Sequence, residues 1–359
     1  MSKDTFNLWV FGDAHVGTDL RRGSRESLAE ALRDSERGER PFSWDIAIDV
    51  GDMSGGHGVP EDDEGAEVVR QFGVLQDHPR EAVYSVCGNH DRSGLDEPAA
   101  WWWRKWVDPL GENSAFSGVD NGKRPFPITG TWERYSFRVG NLLFLMMSDI
   151  NEPSQTIGRG DLGGNPGGVV SGETFRWWQD TVLANPDANI FSTHHYMLKN
   201  TTVASGDWEG MRRDENGRWR THYHGYYPEG TPQGASYLYW VDSQPDSGAF
   251  EQFLRDNPGA VSIWLGGHTH THPDDTYGGK SHIEKRWGTA FVNAASLTRY
   301  HVKYSVPKSR LFTFREGSRE VVVRCYIHTD EYLPKGWYAV AEQRLMLRHA
   351  FTMDVKREA

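Results

Sequence analysis

The sequence predicts an α/β fold built from parallel strand–helix–strand units. Three apolar runs are typical of buried strands, namely FNLWVFGD (6–13), WDIAIDVGD (44–52) and AVYSVCGNHD (82–91). Two segments between these runs, 24–38 and 68–75, carry apolar residues at helical spacing. Strands that alternate with helices favour parallel pairing, because parallel neighbours need a long crossover between them.

The composition is that of a globular chain with room for a substantial core. Its 359 residues are 37% hydrophobic and 25% charged, which fits one large domain or two modest ones. No stretch approaches the roughly 18 apolar residues of a membrane helix, and the N-terminus lacks the features of a signal peptide. Cys87 and Cys325 are too few for a disulfide framework or a cysteine-based zinc site, so we expect a cytoplasmic protein.

The charge balance argues against nucleic acid as a partner. The formal net charge is -11 at pH 7, and residues 61–64 read EDDE. Nucleic-acid binding relies on phosphate neutralisation by Lys and Arg, and the chain has no dense run of either. We expect no membrane partner, and the sequence leaves the oligomeric state open.

The rest of the chain mixes regular elements with irregular segments. A hairpin is predicted over 135–149 with its turn at Gly140 and Asn141. Trp101, Trp102, Trp103 and Trp106 indicate a helix packed on the sheet, with a ligand platform as the alternative. The Gly-rich segment 157–172 is expected to be a surface loop. Further elements are predicted as a helix over 172–185, strands over 188–195 and 260–270, and later strands at 288–296, 310–314 and 320–328.

Polar and ionisable residues follow five of the predicted strands where each strand ends. The endings read GDAH, GDM, GNHD, THH and GHTH, and each supplies Asp, Asn or His. Ligand sites of parallel α/β sheets form at the edge where the strands end. One Gly-Asp turn or one histidine would carry little weight, but five such endings predict a metal site at this edge.

Taken together, the five endings resemble the motif set of the calcineurin-like metallophosphoesterase superfamily, which is DxH, GD, GNH[DE], H and GHxH. They occur in that order as Asp13-Ala14-His15, Gly51-Asp52, Gly88-Asn89-His90-Asp91, His194 and Gly267-His268-Thr269-His270. The resemblance implies a four-layer αββα sandwich with two mixed β-sheets face to face. It implies a metallophosphoesterase domain over 1–330, with insertions at about 112–134, 151–172 and 196–246, and a C-terminal extension over 331–359 that we leave unassigned.

The resemblance also implies two divalent metal ions bridged by Asp52. The remaining ligands would be Asp13, His15 and His270 for one ion, and Asn89, His194 and His268 for the other. His194 is followed by His195, and the family's use of the first histidine of such a pair selects His194. Mixed His, Asp and Asn ligation suits Mn, Zn, Fe, Co or Ni better than Mg or Ca.

Catalytic and substrate-binding roles follow from the same resemblance. His90 would stand near the scissile group and donate a hydrogen bond to a phosphoryl or leaving oxygen, without binding metal. Asp91 would orient His90 or fix its loop, and an ordinary loop carboxylate is an equal alternative. Substrate contacts are expected from Asn89, His90 and Arg92. The expected nucleophile is a hydroxide that bridges the metals.

Departures from the family's subgroups favour a phosphodiester as the substrate. Gly55 stands where purple acid phosphatases carry a Tyr, and Cys87 stands where phosphoprotein phosphatases carry one of the arginines that grip a phosphomonoester. We therefore predict hydrolysis of a small phosphodiester. The alternatives are a phosphomonoesterase for a nucleotide or sugar phosphate, a nuclease, and a non-catalytic scaffold. Aromatic residues of the insertion 196–246 could stack on a diester or simply pack on the core.

Overall fold

The computed structural model describes most of the chain. The described residues are 4–19, 25–56, 59–92, 101–108, 110–111, 114–150, 168–206, 211–213, 219–221, 238–241, 248–298, 306–331 and 333–353. For 211–213, 219–221, 238–241 and 277, only the backbone is described.

The described residues form eighteen β-strands and six α-helices. The strands are β1 (Thr5–Phe11), β2 (Ile46–Asp49), β3 (Val83–Ser85), β4 (Thr129–Gly130), β5 (Arg134–Val139), β6 (Leu142–Met147), β7 (Gly168–Val170), β8 (Asn189–Thr193), β9 (Met211–Arg213), β10 (Trp219–Thr221), β11 (Leu238–Val241), β12 (Ile263–Gly266), β13 (Ile283–Arg286), β14 (Thr289–Asn293), β15 (Lys308–Arg315), β16 (Glu320–Ile327), β17 (Gly336–Trp337) and β18 (Gln343–Met346). The α-helices are α1 (Ser27–Arg37), α2 (Asp62–Phe72), α3 (Trp101–Trp106), α4 (Ser114–Ser117), α5 (Gly172–Leu183) and α6 (Gly248–Asp256).

Two mixed sheets, each of seven described strands, form the centre of the fold. The first has the order β17-β16-β15-β1-β2-β3, with β18 also paired to β16. In it β1, β2 and β3 run parallel, and β15 runs antiparallel to β1. The second has the order β13-β14-β12-β8-β6-β5-β4, with β6, β8, β12 and β14 parallel. The short pairs β9–β10 and β7–β11 lie outside both sheets.

The two sheets pack face to face, with helices on their outer faces. One apolar cluster joins residues of the two facing surfaces, and the rings of Tyr84 on β3 and Phe137 on β5 stack 4.1 Å apart within it. A second cluster joins the outer surfaces to the helices. There Trp178 of α5 packs against Trp264 of β12 at 6.4 Å. The predicted four-layer α/β sandwich with two mixed sheets is thus confirmed.

The predicted hairpin and the predicted tryptophan-rich helix are both present in the structure. The hairpin forms as β5 and β6 around the turn at Gly140. The tryptophan-rich segment forms α3, and its Trp102 and Trp103 are buried in the core. Most of the Gly-rich segment and of the insertion 196–246, including its aromatic residues from Trp208 onward, lies outside the described side chains. In the tail, β17 and β18 extend the first sheet. The boundary at residue 330 stays a prediction.

Among the described residues, none of the helices combines the length and the apolar character that crossing a bilayer requires.

Candidate metal centre

The ends of strands from both sheets converge on one buried cluster of Asp, Asn and His side chains. The first sheet supplies residues that follow β1, β2 and β3, and the second supplies residues that follow β8 and β12. These side chains are Asp13, His15, Asp52, Asn89, His90, His195, His268 and His270, each at most 6% exposed. Parallel strands that end at a common edge explain how motifs far apart in sequence meet.

The backbone turns sharply at four of these positions. Asp13 (φ 52°), His15 (φ 43°), Asp52 (φ 63°) and His268 (φ 68°) all lie in the left-handed region. Residues other than glycine rarely adopt this conformation, and each instance costs on the order of 1 kcal/mol. Such strain persists where the surroundings impose it, and here it directs side chains at strand ends into one space.

One half of the cluster contains Asp13, His15 and His270. His270 Nε2 lies 2.9 Å from Asp13 Oδ1 and 3.2 Å from His15 Nε2. One donor atom from each residue lies within 4.8 Å of the others, which is compact enough to hold a metal ion.

The other half contains Asp52, Asn89, His195 and His268. His195 Nε2 lies 2.9 Å from Asn89 Oδ1, 3.2 Å from His268 Nδ1 and 3.2 Å from Asp52 Oδ2. The same Asp52 oxygen lies 3.7 Å from His15 Nε2 in the first half. Asp52 therefore connects the two halves through one carboxylate.

Hydrogen bonds to backbone carbonyls fix the tautomers of two of these histidines. His15 Nδ1 lies 2.9 Å from Ser54 O, and His195 Nδ1 lies 2.8 Å from Val50 O. A carbonyl can only accept, so each Nδ1 carries a hydrogen, and each Nε2 faces the cluster as the atom that can bind a metal ion once it is unprotonated. Metal-binding histidines are commonly held in this way.

The donor set fits a cation. His195 Nε2 faces a carboxylate oxygen, an amide oxygen and a second imidazole nitrogen, so a cation is favoured there, either a proton on Nε2 or a metal ion bound to it. Asp13 Oδ2 is buried and has no hydrogen-bond partner among the described residues. A buried acceptor without a partner is costly unless an ion or proton compensates it. Imidazole, carboxylate and amide ligands together suit first-row transition metals better than Ca or Mg.

The pKa shifts show the charge that this cluster demands. Burial opposes protonation of His195, but the adjacent Asp52 carboxylate outweighs it and raises the pKa of His195 to about 10. Burial also opposes ionisation of Asp52, but the charges of His195, His90 and His15 hold its pKa well below the usual value. Burial, with His90 and His270 nearby, lowers the pKa of His15. Positive charge is therefore favoured between Asp52 and His195.

The structure differs from the prediction at the pair of adjacent histidines. His194, predicted as the ligand, points away from the cluster, where its Nδ1 lies 2.8 Å from Asp149 Oδ1. Its ring stacks on Trp264 with centroids 3.6 Å apart. His195 occupies the predicted place instead. Successive side chains of an extended segment point to opposite faces, so one step along the chain exchanges the two imidazoles.

The segment GNHD and the residue after it supply three candidates for catalysis or substrate binding, His90, Asp91 and Arg92. His90 Nδ1 donates to Gly56 O, and its Nε2 lies 4.0 Å from Asp52 Oδ2. The Asp91 carboxylate accepts the backbone N–H groups of Asp52, Ser54 and Gly88 at 2.8–2.9 Å. It thus fixes the loop, as one of the predicted alternatives has it. Arg92 is close to the cluster in sequence and 2% exposed.

Two glycines leave room for this crowding. A Cβ added to Gly88 would collide with the Asp52 carboxylate and backbone N, and one added to Gly267 would collide with Asp13 Oδ2. The glycine of GNHD and the second glycine of LGGHTH are therefore required by close approach to the two carboxylates.

Comparison with known families gives one extensive match. The model of the family described as calcineurin-like phosphoesterase matches residues 6–272. Among curated protein sequences, none matches this chain.

Solved structures give distant matches. A predicted phosphoesterase from Streptococcus pneumoniae TIGR4 aligns with 96% of this chain and 99% of its own at 10% identity, with a TM-score of 0.34. A Vps29 single mutant from Entamoeba histolytica aligns with 95% and 99% at 13% identity and a TM-score of 0.34. Vps29 from Chaetomium thermophilum aligns with 99% and 100% at 9% identity and a TM-score of 0.33.

Proposed function

Because the chain belongs to the calcineurin-like phosphoesterase family, we propose that it hydrolyses a small phosphodiester at a centre of two divalent transition-metal ions. The ions would be Mn, Zn, Fe, Co or Ni, according to the donor types present. The observation that carries this proposal is the position of Asp52 Oδ2, which lies 3.7 Å from His15 Nε2 and 3.2 Å from His195 Nε2. One carboxylate between two sets of imidazoles is the arrangement that a pair of cations requires.

The proposed ligands divide into two sets that share Asp52. The first set is Asp13, His15, His270 and Asp52, and the second is Asp52, Asn89, His195 and His268. The proposed ligand from the adjacent pair of histidines is therefore His195 and not His194. A pair of bound ions supplies Lewis acidity and a nucleophile at neutral pH.

His90 is proposed as the group that moves a proton. Its Nδ1 donates to Gly56 O, so Nε2 is the atom left to hold or transfer a proton on the side of Asp52. A leaving alkoxide or phenoxide needs that proton as the ester bond breaks. Asp91 keeps this loop in place through three backbone N–H groups, and Asn89 and Arg92 are proposed substrate contacts.

The preference for diesters is supported by what surrounds the centre. The arginines that grip a dianionic monoester in the phosphoprotein phosphatases have no counterpart at Cys87 or in GDMSGG. The net charge of -11 gives no long-range attraction to a dianion. Arg92, which is 2% exposed, is the single guanidinium among the proposed substrate contacts. A monoanionic diester needs fewer cationic side chains than a dianionic monoester.

The test compares two substrates on metal-loaded protein of known metal content. We expect about two ions per chain and a higher kcat/KM for bis(4-nitrophenyl) phosphate than for 4-nitrophenyl phosphate, after correction for intrinsic reactivity. Preference for the monoester would favour a phosphatase. Two bound ions without hydrolysis of either ester would favour a scaffold.

A further inference from the structure

A carboxylate behind the centre holds the segment that carries His195. Asp149 follows β6, and its Oδ2 accepts the backbone N–H groups of His195 at 3.1 Å and of Tyr196 at 3.0 Å. Its Oδ1 lies 2.8 Å from His194 Nδ1. All of these residues are buried.

The position of Asp149 explains why a carboxylate is needed there. The parallel pairing of β6 with β8 ends at Met146 and Thr193, so the chain beyond it has lost its neighbouring strand on this side. Buried N–H groups need acceptors. Asp149 Oδ2 is a single acceptor that serves two consecutive N–H groups, those of His195 and Tyr196. The same two bonds fix the backbone from which the His195 imidazole projects.

His194 is held in turn by a chain of hydrogen bonds. Trp178 Nε1 donates to Ser192 Oγ at 2.8 Å, and Ser192 Oγ lies 2.6 Å from His194 Nε2. Because the Asp149 carboxylate accepts from Nδ1–H, Nε2 is left to accept from the Ser192 hydroxyl, which itself accepts from the Trp178 indole. Both ring nitrogens of His194 are occupied, and the ring is stacked on Trp264.

From these contacts, and resting on the proposed function, we propose that Asp149 is a positioning residue for the metal ligand His195. It acts through the backbone N–H groups of His195 and Tyr196, and His194 fixes its carboxylate without binding metal itself. The sequence motifs do not include Asp149, and the family match does not assign it a role.

The first sheet contains the same arrangement without a metal ligand attached. Trp9 Nε1 donates to Ser309 Oγ at 2.8 Å, Ser309 Oγ lies 2.8 Å from His328 Nε2, and His328 Nδ1 lies 3.1 Å from Asp34 Oδ2. Asp34 lies on α1 and also pairs with Lys335 at 2.6 Å. Asp34→Asn is therefore a matched control, because it breaks a buried Trp–Ser–His–Asp chain that does not lead to the centre.

The main experiment titrates metal-stripped full-length protein with Co²⁺, followed by calorimetry and by the visible absorption of the bound ion. We expect two ions in the wild type. In Asp149→Asn, whose amide cannot accept from all three donors, one ion should bind about 10–100-fold more weakly. The visible spectrum of that site should change, and kcat should recover at saturating metal. Asp34→Asn should bind both ions as the wild type does, even if its Tm falls.

Two substitutions of His194 test whether this residue fixes the Asp149 carboxylate. His194→Asn places an amide nitrogen near the former Nδ1 and keeps a donor for Asp149, whereas His194→Leu removes the donor. We expect wild-type Co²⁺ affinity in the first and the Asp149→Asn phenotype in the second. If His194→Leu does not fold, the Co²⁺ affinities of His194→Asn and Asp149→Asn still test whether Asp149 positions His195.

The outcomes separate this inference from the function on which it rests. Wild-type protein that binds no Co²⁺ would overturn both. Two ions in the wild type with unchanged affinity in Asp149→Asn would overturn the positioning role alone. An equal loss of affinity in Asp34→Asn would show a general effect of stability and would also overturn it. Complete loss of one ion in His194→Asn would show that His194 is itself a metal ligand and would overturn the proposal.

Discussion

Asp52 Oδ2 lies 3.2 Å from His195 Nε2 and 3.7 Å from His15 Nε2, so one carboxylate oxygen faces imidazoles delivered by two different sheets. His15 follows β1 of the first sheet, and His195 follows β8 of the second. The centre therefore lies where the sandwich opens at the ends of its parallel strands, and its assembly depends on the packing of one sheet on the other.

The first prediction concerns the bridging carboxylate. Asp52→Asn keeps the shape of the side chain but removes its negative charge, so both ions should bind more weakly. Loss of a group that only orients a ligand costs about 10–100-fold in metal affinity, and loss of a shared ligand should cost at least that for each ion. Metal analysis after gel filtration, with kcat measured on the same samples, checks this. Retention of both ions at wild-type affinity would contradict the bridging role.

Much of this centre could be predicted from the sequence because the motifs end strands. A polar residue after an apolar run marks both the strand and the edge at which a parallel sheet delivers ligands. That reasoning places Asp13, His15, Asp52, Asn89 and His268 in one cluster, as the structure does. The two mixed sheets were implied separately, by the resemblance of these motifs to those of the calcineurin-like metallophosphoesterases.

The choice between His194 and His195 could not be made in the same way. Period-two alternation says that the two rings point to opposite faces, but the sequence does not say which face meets the first sheet. Asp149 was missed although a signal existed, since it ends the run LLFLMMSD as a sixth strand ending. Its role depends on a neighbouring strand, and strand order is a property of the whole sheet.

The second prediction separates metal binding from proton transfer at His90. His90→Ala should keep both ions, because its Nε2 is 4.0 Å from Asp52 Oδ2 and the proposed ligand sets are complete without it. It should lower kcat by about 10²–10⁴-fold. The loss should shrink for leaving groups of low pKa, which depart without a proton. A series of aryl diesters provides the measurement. A uniform loss across the series would reject the acid role, and loss of an ion would make His90 a ligand.

The third prediction tests the close approach at Gly267. A methyl group there would collide with Asp13 Oδ2 and lie 2.9 Å from Val50 Cγ2. Gly267→Ala should displace the Asp13 carboxylate. The affinity for the ion on the side of His15 and His270 should then fall by at least about 10-fold. Gly122→Ala is the control, because among the described residues its added Cβ meets only Asp120 Oδ1, at 3.2 Å. Equal Co²⁺ affinity in the two variants would show that the Asp13 side chain can move without cost.

The last prediction concerns a buried lysine that supports the loop of His268 and His270. Lys308 is fully buried on β15, and its Nζ donates to Thr271 O at 2.6 Å. Burial, with the charge of Arg310 nearby, lowers the pKa of Lys308 to about 7. In the unfolded chain a lysine titrates near pH 10.4.

The sign of the pH dependence follows from these two values. Between about pH 7 and pH 10 the unfolded chain holds the Lys308 proton and the folded chain does not, so this group makes the free energy of unfolding rise with pH. The slope is at most about 1.4 kcal/mol per pH unit. Below pH 7 both states are protonated, and the full cost of the buried charge remains.

Lys308→Met isolates that dependence, since it removes the titrating group and keeps an unbranched side chain. The free energy of unfolding, measured in urea with chelator present from pH 6.5 to 9.5, should rise more steeply in the wild type than in the variant. Lys285→Met, at an exposed position on β13, is the control and should leave the wild-type slope unchanged. Parallel curves for the wild type and Lys308→Met would mean that Lys308 keeps its proton throughout, held by Thr271 O against the cost of burial.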